Sequence, residues 1–186
     1  MQQKKSGGRL SRADWLTKAL EVLSNEGQAG LQIQGICTAL GVSRGSFYWH
    51  FEDRNDFIRA LLDYWFEEYT AIATKLVTRG GGTAEERLST IIATVHEQYL
   101  TRYDMVFRSL ATVDADIAKA VKKADAFRLK YIKGLFAEMG FTDNEREIRA
   151  RTCLSFMTVD AHMFDKLDVK HRDDLVDDLL AFLVRK

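Results

Sequence analysis

Apolar positions recur at helical spacing along almost the whole chain. Leu16, Ala19, Leu20 and Leu23 form the first set. Ser11, with Asp14 three residues on, precedes it as a capping-box pattern, and Gly27 closes it. Ile33, Ile36, Cys37 and Leu40 predict a second, shorter helix over about 33–40. Gly41-Val42-Ser43 reads as a turn, in which glycine supplies the left-handed conformation, valine tucks inward and serine caps the next helix. A very short third helix covers about 44–50. Asp53 with Asp56 opens a fourth, whose Phe57, Ile58, Leu61, Leu62, Trp65 and Tyr69 carry the pattern to about Val77.

Arg79-Gly80-Gly81-Gly82-Thr83 then interrupts the periodicity. Three consecutive glycines predict a flexible joint. A nucleotide-binding loop would need a lysine-serine pair after the glycines and a strand before them, and neither is present. Beyond the joint, Leu88, Ile91, Ile92, Val95 and Tyr99 mark a helix. Others are predicted over about 105–111, 117–139 (ended by Gly140), 144–164 and 172–184. In the last, Leu175, Val176, Leu179, Leu180, Phe182 and Leu183 span well over half the wheel. That breadth fits a helix buried on two sides, by its own core and by a partner, and equally a helix central to the core. The expectation is an all-α chain of about nine helices. A three-helix domain occupies 1–52 with an N-terminal arm, a connecting helix and glycine joint occupy 53–82, and a larger helical bundle occupies 83–186.

Composition sharpens this picture. The 186 residues contain no proline, which favours long uninterrupted helices. Hydrophobic residues make up 46%, enough for a sizeable core. The net charge is zero. In the first 51 residues, however, Lys4, Lys5, Arg9, Arg12, Lys18 and Arg44 outnumber Asp14, Glu21 and Glu26. A weakly basic head on a weakly acidic body suits a nucleic-acid contact at one end. Cys37 and Cys153 lie far apart within apolar helical patterns and read as buried reduced thiols. The polar N-terminus has no signal-peptide pattern, and no run approaches the ~20 apolar residues of a membrane span. A cytoplasmic protein is expected.

The densest chemical signal lies in residues 40–54. At roughly 100° per residue, Phe47 and Phe51 fall on one side of the short third helix. Gly45, Ser46, Tyr48 and Trp49 fall on the other. Ring systems with polar tips, beside Arg44, make an odd face to leave in water and a good one to press into a DNA groove. Two short helices joined by a three-residue turn containing glycine form a helix-turn-helix. By its geometry Arg44, Gly45 and Ser46 are the candidate base readers: arginine forks onto guanine, serine bonds either way, and glycine lets the backbone approach. Tyr48 and His50 offer phosphate contacts, and Arg54 adds positive charge.

The run Gly41-Val42-Ser43-Arg44-Gly45-Ser46-Phe47-Tyr48-Trp49-His50-Phe51 closely resembles the DNA-binding signature of TetR-type transcriptional regulators. Ala19-Leu20, Leu23, Gly27, Ile36 and Cys37 fit as well. The resemblance covers about Arg12 to Leu62. It implies a repressor that binds double-stranded DNA at a pseudo-palindromic operator and is released by a small-molecule effector. It also implies homodimerisation, which maps here to about 144–165 and 172–185, and phosphate contacts at Tyr48, His50 and Arg54. Gln32 stands where the family often has threonine at the start of the second helix, and is taken as a further DNA contact. Glu52 and Asp53 depart from the basic residues common nearby.

The C-terminal region is rich in rings and methionines. An apolar cavity with a few polar anchors is one reading, and plain core the other. Candidate lining residues are His96, Tyr99, Tyr103, Phe107, Phe127, Tyr131, Phe156, Asp160 and His162, with Arg102 and Arg108 as further anchors, and the effector is expected to be small and apolar or aromatic. Catalysis is not expected: no histidine follows a glutamate by three, and neither a nucleophile elbow nor zinc-ligand spacing occurs. No metal or cofactor is expected. The rival reading is a helical ligand-binding or interaction protein with a degenerate DNA head.

Overall fold

The computed structural model describes residues 10–27, 31–164 and 169–186, the side chains of 160–162, 169, 170, 172 and 173 excepted. Within that description the chain is all helix and turn. It divides into two compact units, 1–64 and 65–186.

The first unit holds α1 (Arg12–Glu26), α2 (Ile33–Leu40), α3 (Arg44–His50) and most of α4 (Arg54–Phe66). α1 starts on a full capping box: the Ser11 hydroxyl accepts from the Asp14 amide at 3.2 Å, and the Asp14 carboxylate accepts from the Ser11 amide at 2.7 Å. α2 ends at Gly41, whose φ of 67° is left-handed. The Gly41 amide donates to the Thr38 carbonyl and the Val42 amide to the Cys37 carbonyl, so the last turn is closed before the chain reverses. Ser43 precedes α3, but its side chain makes no capping bond. The core of this unit is Trp15, Leu20, Leu23, Ile36, Phe47, Phe51, Phe57 and Leu61, all essentially buried.

α4 does not end at Phe66. A π-helical turn, Glu67–Ala71, follows directly, and then α5 (Ile72–Gly80). The residues flanking the π-turn keep right-handed helical angles, so the rod is continuous. Counted as one helix, it brings the total among the described residues to nine. Apolar spacing does not reveal the π-turn, because one extra residue in a turn leaves the surrounding periodicity nearly intact. Gly81 and Gly82 both have positive φ and end the rod.

The rest of the second unit comprises α6 (Ala84–Glu97), α7 (Asp104–Leu110), α8 (Ala115–Glu138), α9 (Asp143–Met163) and α10 (Val169–Val184). Thr83 and Glu86 form a capping box at α6, and Asp114 accepts from the Asp116 and Ile117 amides at 3.0 Å to start α8. The helix expected to reach Tyr99 stops at Glu97, and Tyr99 has a left-handed φ of 49° in the turn before α7. α8 packs against α6, α7 and α9, and α10 against α6 and α9. The core includes Leu88, Ile92, Ile132, Phe136, Ala150, Cys153 and Leu183. α10 is two-sided. Leu183 is buried and Val176, Leu179 and Leu180 pack on the core, while Phe182 is 68% exposed.

Candidate nucleic-acid interface and effector cavity

α3 is seven residues long, too short to be stable alone. Aromatic packing fixes it. The Phe47 ring lies 5.7 Å from Trp15, 5.2 Å from Phe51 and 5.6 Å from Phe57, mostly edge to face. Arg12 sits over the Phe51 ring at 5.0 Å. With its inner face clamped, α3 presents the outer one: Arg44 and Gly45 are exposed, Tyr48 is 54% exposed and Trp49 71%. Ser46 is half-buried, and so is His50, whose ring lies 6.1 Å from Trp15. A Cβ on Gly45 would meet only the Ser43 hydroxyl, at 3.7 Å. Packing inside the unit therefore does not demand glycine there, whereas close approach by a ligand backbone would.

Gln32 is exposed in the N-cap position of α2, and Arg54 is exposed at the first residue of α4. The acidic residues beside Arg54 are engaged locally. Asp53 accepts from the Asp56 amide at 2.7 Å, and Asp56 accepts from the Glu52 amide at 3.2 Å and pairs with Arg12 at 3.5 Å. Asp53 and Asp56 thus serve the start of α4, where negative charge is favourable. Glu52 remains exposed. The Cys37 thiol lies behind the turn, 3.8 Å from the Ser43 carbonyl. Burial raises its pKa against the opposing pull of Arg44.

In the second unit, a cavity of about 30 Å³ lies among the π-turn, α5, α6, α8 and α9. Tyr69, Thr70, Thr101, Arg128, Met157 and Thr158 are among its lining. Of the ring residues expected at a pocket, Tyr131 lines it. Most others form ring pairs between helices. Tyr103 packs on Tyr69 at 4.9 Å, Phe107 on Trp65 at 4.6 Å, Phe127 on Phe66 at 5.3 Å, and His96 beside Phe156 at 5.7 Å. Tyr99 lies at the surface and Arg102 sits against Tyr69 and Tyr103. Arg108 forms a two-pronged bond with Asp125, at 2.9 and 2.6 Å, which raises its pKa further. The side chains of Asp160 and His162 lie outside the described residues.

What the ring pattern missed is polar. Arg128 grips Asp104 with two N–H groups and donates to the Thr70 hydroxyl at 2.9 Å. Thr70 and Thr74 both line the cavity.

The outer face of α3 and its rigid mounting define a helix-turn-helix reading head. Residues 16–61 match the family model of bacterial regulatory proteins, tetR family. That match covers the reading head, which is similar to the DNA-binding domain of those regulators. No curated protein matches the chain in sequence. Among solved structures it resembles SCO4454, a TetR-family transcriptional regulator from Streptomyces coelicolor (TM-score 0.75, 18% identity, 94% of this chain and 88% of that one). It also resembles AibR in complex with isovaleryl coenzyme A and operator DNA (0.71, 15%, 93% and 97%). The superantigen PfiT shares the fold as well (0.72, 15%, 95% and 97%), so the fold alone does not carry function. Among the described residues no helix is long and apolar enough to cross a membrane.

Proposed function

We propose that the protein is a homodimeric repressor that reads a pseudo-palindromic operator and releases it when a small effector occupies the second unit. The observation that carries this is the outer face of α3: Arg44, Tyr48 and Trp49 exposed on a helix whose inner face is locked by Trp15, Phe47 and Phe57. Arg44, Gly45 and Ser46 read base edges. Tyr48, His50, Arg54 and Gln32 hold the backbone, and Trp49 packs into the groove.

A dimer is supported by apolar residues left in water on the last two helices. Ile148 is 63% exposed, Met163 69% and Phe182 68%. A partner laid against these two helices would take them out of water. Two heads reading successive major grooves need a spacing of about 34–36 Å.

AibR was solved with an acyl-coenzyme A. Here the cavity is about 30 Å³, room for a water or two, so the effector of this chain is small or enters as the lining opens.

The test is selection of bound duplexes from a random pool at ~150 mM salt. Enrichment of an inverted repeat, with affinity falling steeply as salt rises, is the expected result. A stable dimer that enriches no sequence would sink the proposal in favour of a helical ligand-binding protein.

A further inference from the structure

Two stretches of the second unit share one pattern with opposite charge. They are Lys119-Ala120-Val121-Lys122-Lys123-Ala124-Asp125-Ala126 on α8 and Asp174-Leu175-Val176-Asp177-Asp178-Leu179-Leu180-Ala181 on α10. In each, a like charge stands at the first, fourth and fifth places and alanine at the last. At roughly 100° per residue those places share one helix face. All of them are exposed. On the opposite side Val121 is buried and Val176 packs on the core, so both helices hold their charges outward. Like charges three and four residues apart repel and weaken a helix. Nothing within the chain offsets that repulsion. Lys119, Lys122, Asp174, Asp177 and Asp178 have no ionic partner among the described residues, and Lys123 rests on the Phe66 ring at 4.3 Å. The neighbouring charges of α8 are engaged: Asp125 meets Arg108, Arg128 meets Asp104 and Lys133 meets Glu147.

We infer that the lysine face of α8 docks on the aspartate face of α10 in a second copy of this chain. The inference goes beyond the repressor reading and does not depend on it. Charge complementarity names the occupant, because a second copy presents the same spacing with the opposite sign. Lysines meet aspartates, and Ala126 and Ala181 leave room for the two backbones to approach. The contact is additional to the apolar face proposed for the dimer. On α10, Leu183 is buried, and exposed Phe182 lies roughly a quarter turn from the aspartates. One helix can therefore serve its own core, a dimer partner and the charged contact at once. Ion pairs at an exposed surface are individually weak and screened by salt, so the contact is reversible and salt-labile. Each dimer carries both stripes twice, which multiplies the contact between dimers.

The experiment is sedimentation velocity of the full-length protein over a range of concentrations, at ~0.1 M and ~1 M salt, where screening lengths are about 10 and 3 Å. At the lower salt the mean sedimentation coefficient should rise with protein concentration. At the higher salt it should stay constant, and its value there reports separately whether the protein is a dimer. Lys122→Glu with Lys123→Glu should weaken the low-salt association by about tenfold or more, and so should Asp177→Lys with Asp178→Lys. All four substitutions in one chain exchange the stripes without altering net charge, and should restore it. Arg59→Glu with Arg79→Glu, at two exposed positions elsewhere, removes as much positive charge as the first pair and should leave association unchanged. A coefficient independent of concentration at ~0.1 M salt overturns the inference, as does association that persists at ~1 M. Loss of association in the Arg59 and Arg79 control makes net charge the cause and overturns the docking. A fourfold variant that is folded by circular dichroism yet stays dispersed overturns the pairing of the two stripes.

Discussion

At the scale of single residues, position on α3 sorts the roles. Arg44 at the first residue of the helix can fork onto a base edge, whereas Tyr48 one turn on can donate its hydroxyl to a phosphate. The two make opposite predictions. Arg44→Ala should relax preference at one base-pair position, at a cost of about 1–3 kcal/mol. Tyr48→Phe should weaken all duplexes alike. Repeating the duplex selection with each variant separates the outcomes, and uniform loss from Arg44→Ala would demote it to a backbone contact. The cysteines act differently. Burial pushes the Cys153 thiol from 9.0 up to about 12. A raised thiol pKa means that the folded state keeps its proton longer than the unfolded one. Its contribution to stability is therefore full below pH 9 and is lost as pH rises from there toward 12. Cys153 should resist iodoacetamide at pH 8 until the protein is unfolded, and rapid labelling of the folded protein would contradict its burial. Both cysteines and the inward faces of Phe47 and Phe51 were legible from spacing alone. The Arg128–Asp104–Thr70 cluster was not, because three residues from three parts of the chain carry no local signature.

At the scale of elements, α3 and the α4–α5 rod show two ways in which a helix borrows its stability. α3 has too few residues to persist without the ring cluster around Phe47. Phe47→Ala should cost roughly 3–5 kcal/mol and lower the unfolding midpoint of the head, with loss of duplex binding as a consequence. Thermal unfolding read by near-ultraviolet circular dichroism checks this, and a midpoint within a degree of the natural protein would show that the cluster is dispensable. The rod holds a π-turn that propensity disfavours, and Thr70 within it accepts from Arg128. Helix starts were predictable where a side chain caps its own neighbours, as at Ser11 and Asp53. Ser43 had the right identity and made no capping bond, since α3 is held from its other face.

At the scale of the whole molecule, the exposed apolar residues of α9 and α10 are the main surface left to explain. Phe182→Asp should convert the proposed dimer to a monomer in sedimentation, with loss of operator affinity as the two heads are uncoupled. An intact dimer would place the partner surface elsewhere. Sequence by itself determined the all-helical class, the order of the helices and the reading head. Those depend on short-range spacing, caps and a compact motif whose residues touch within one small unit. Tertiary structure alone decided which rings met across helices and which polar groups met at the cavity. It alone placed an extra residue in the π-turn. Each of these depends on side chains far apart in the chain sharing one low-dielectric space, and periodicity along a single helix carries no information about its neighbours.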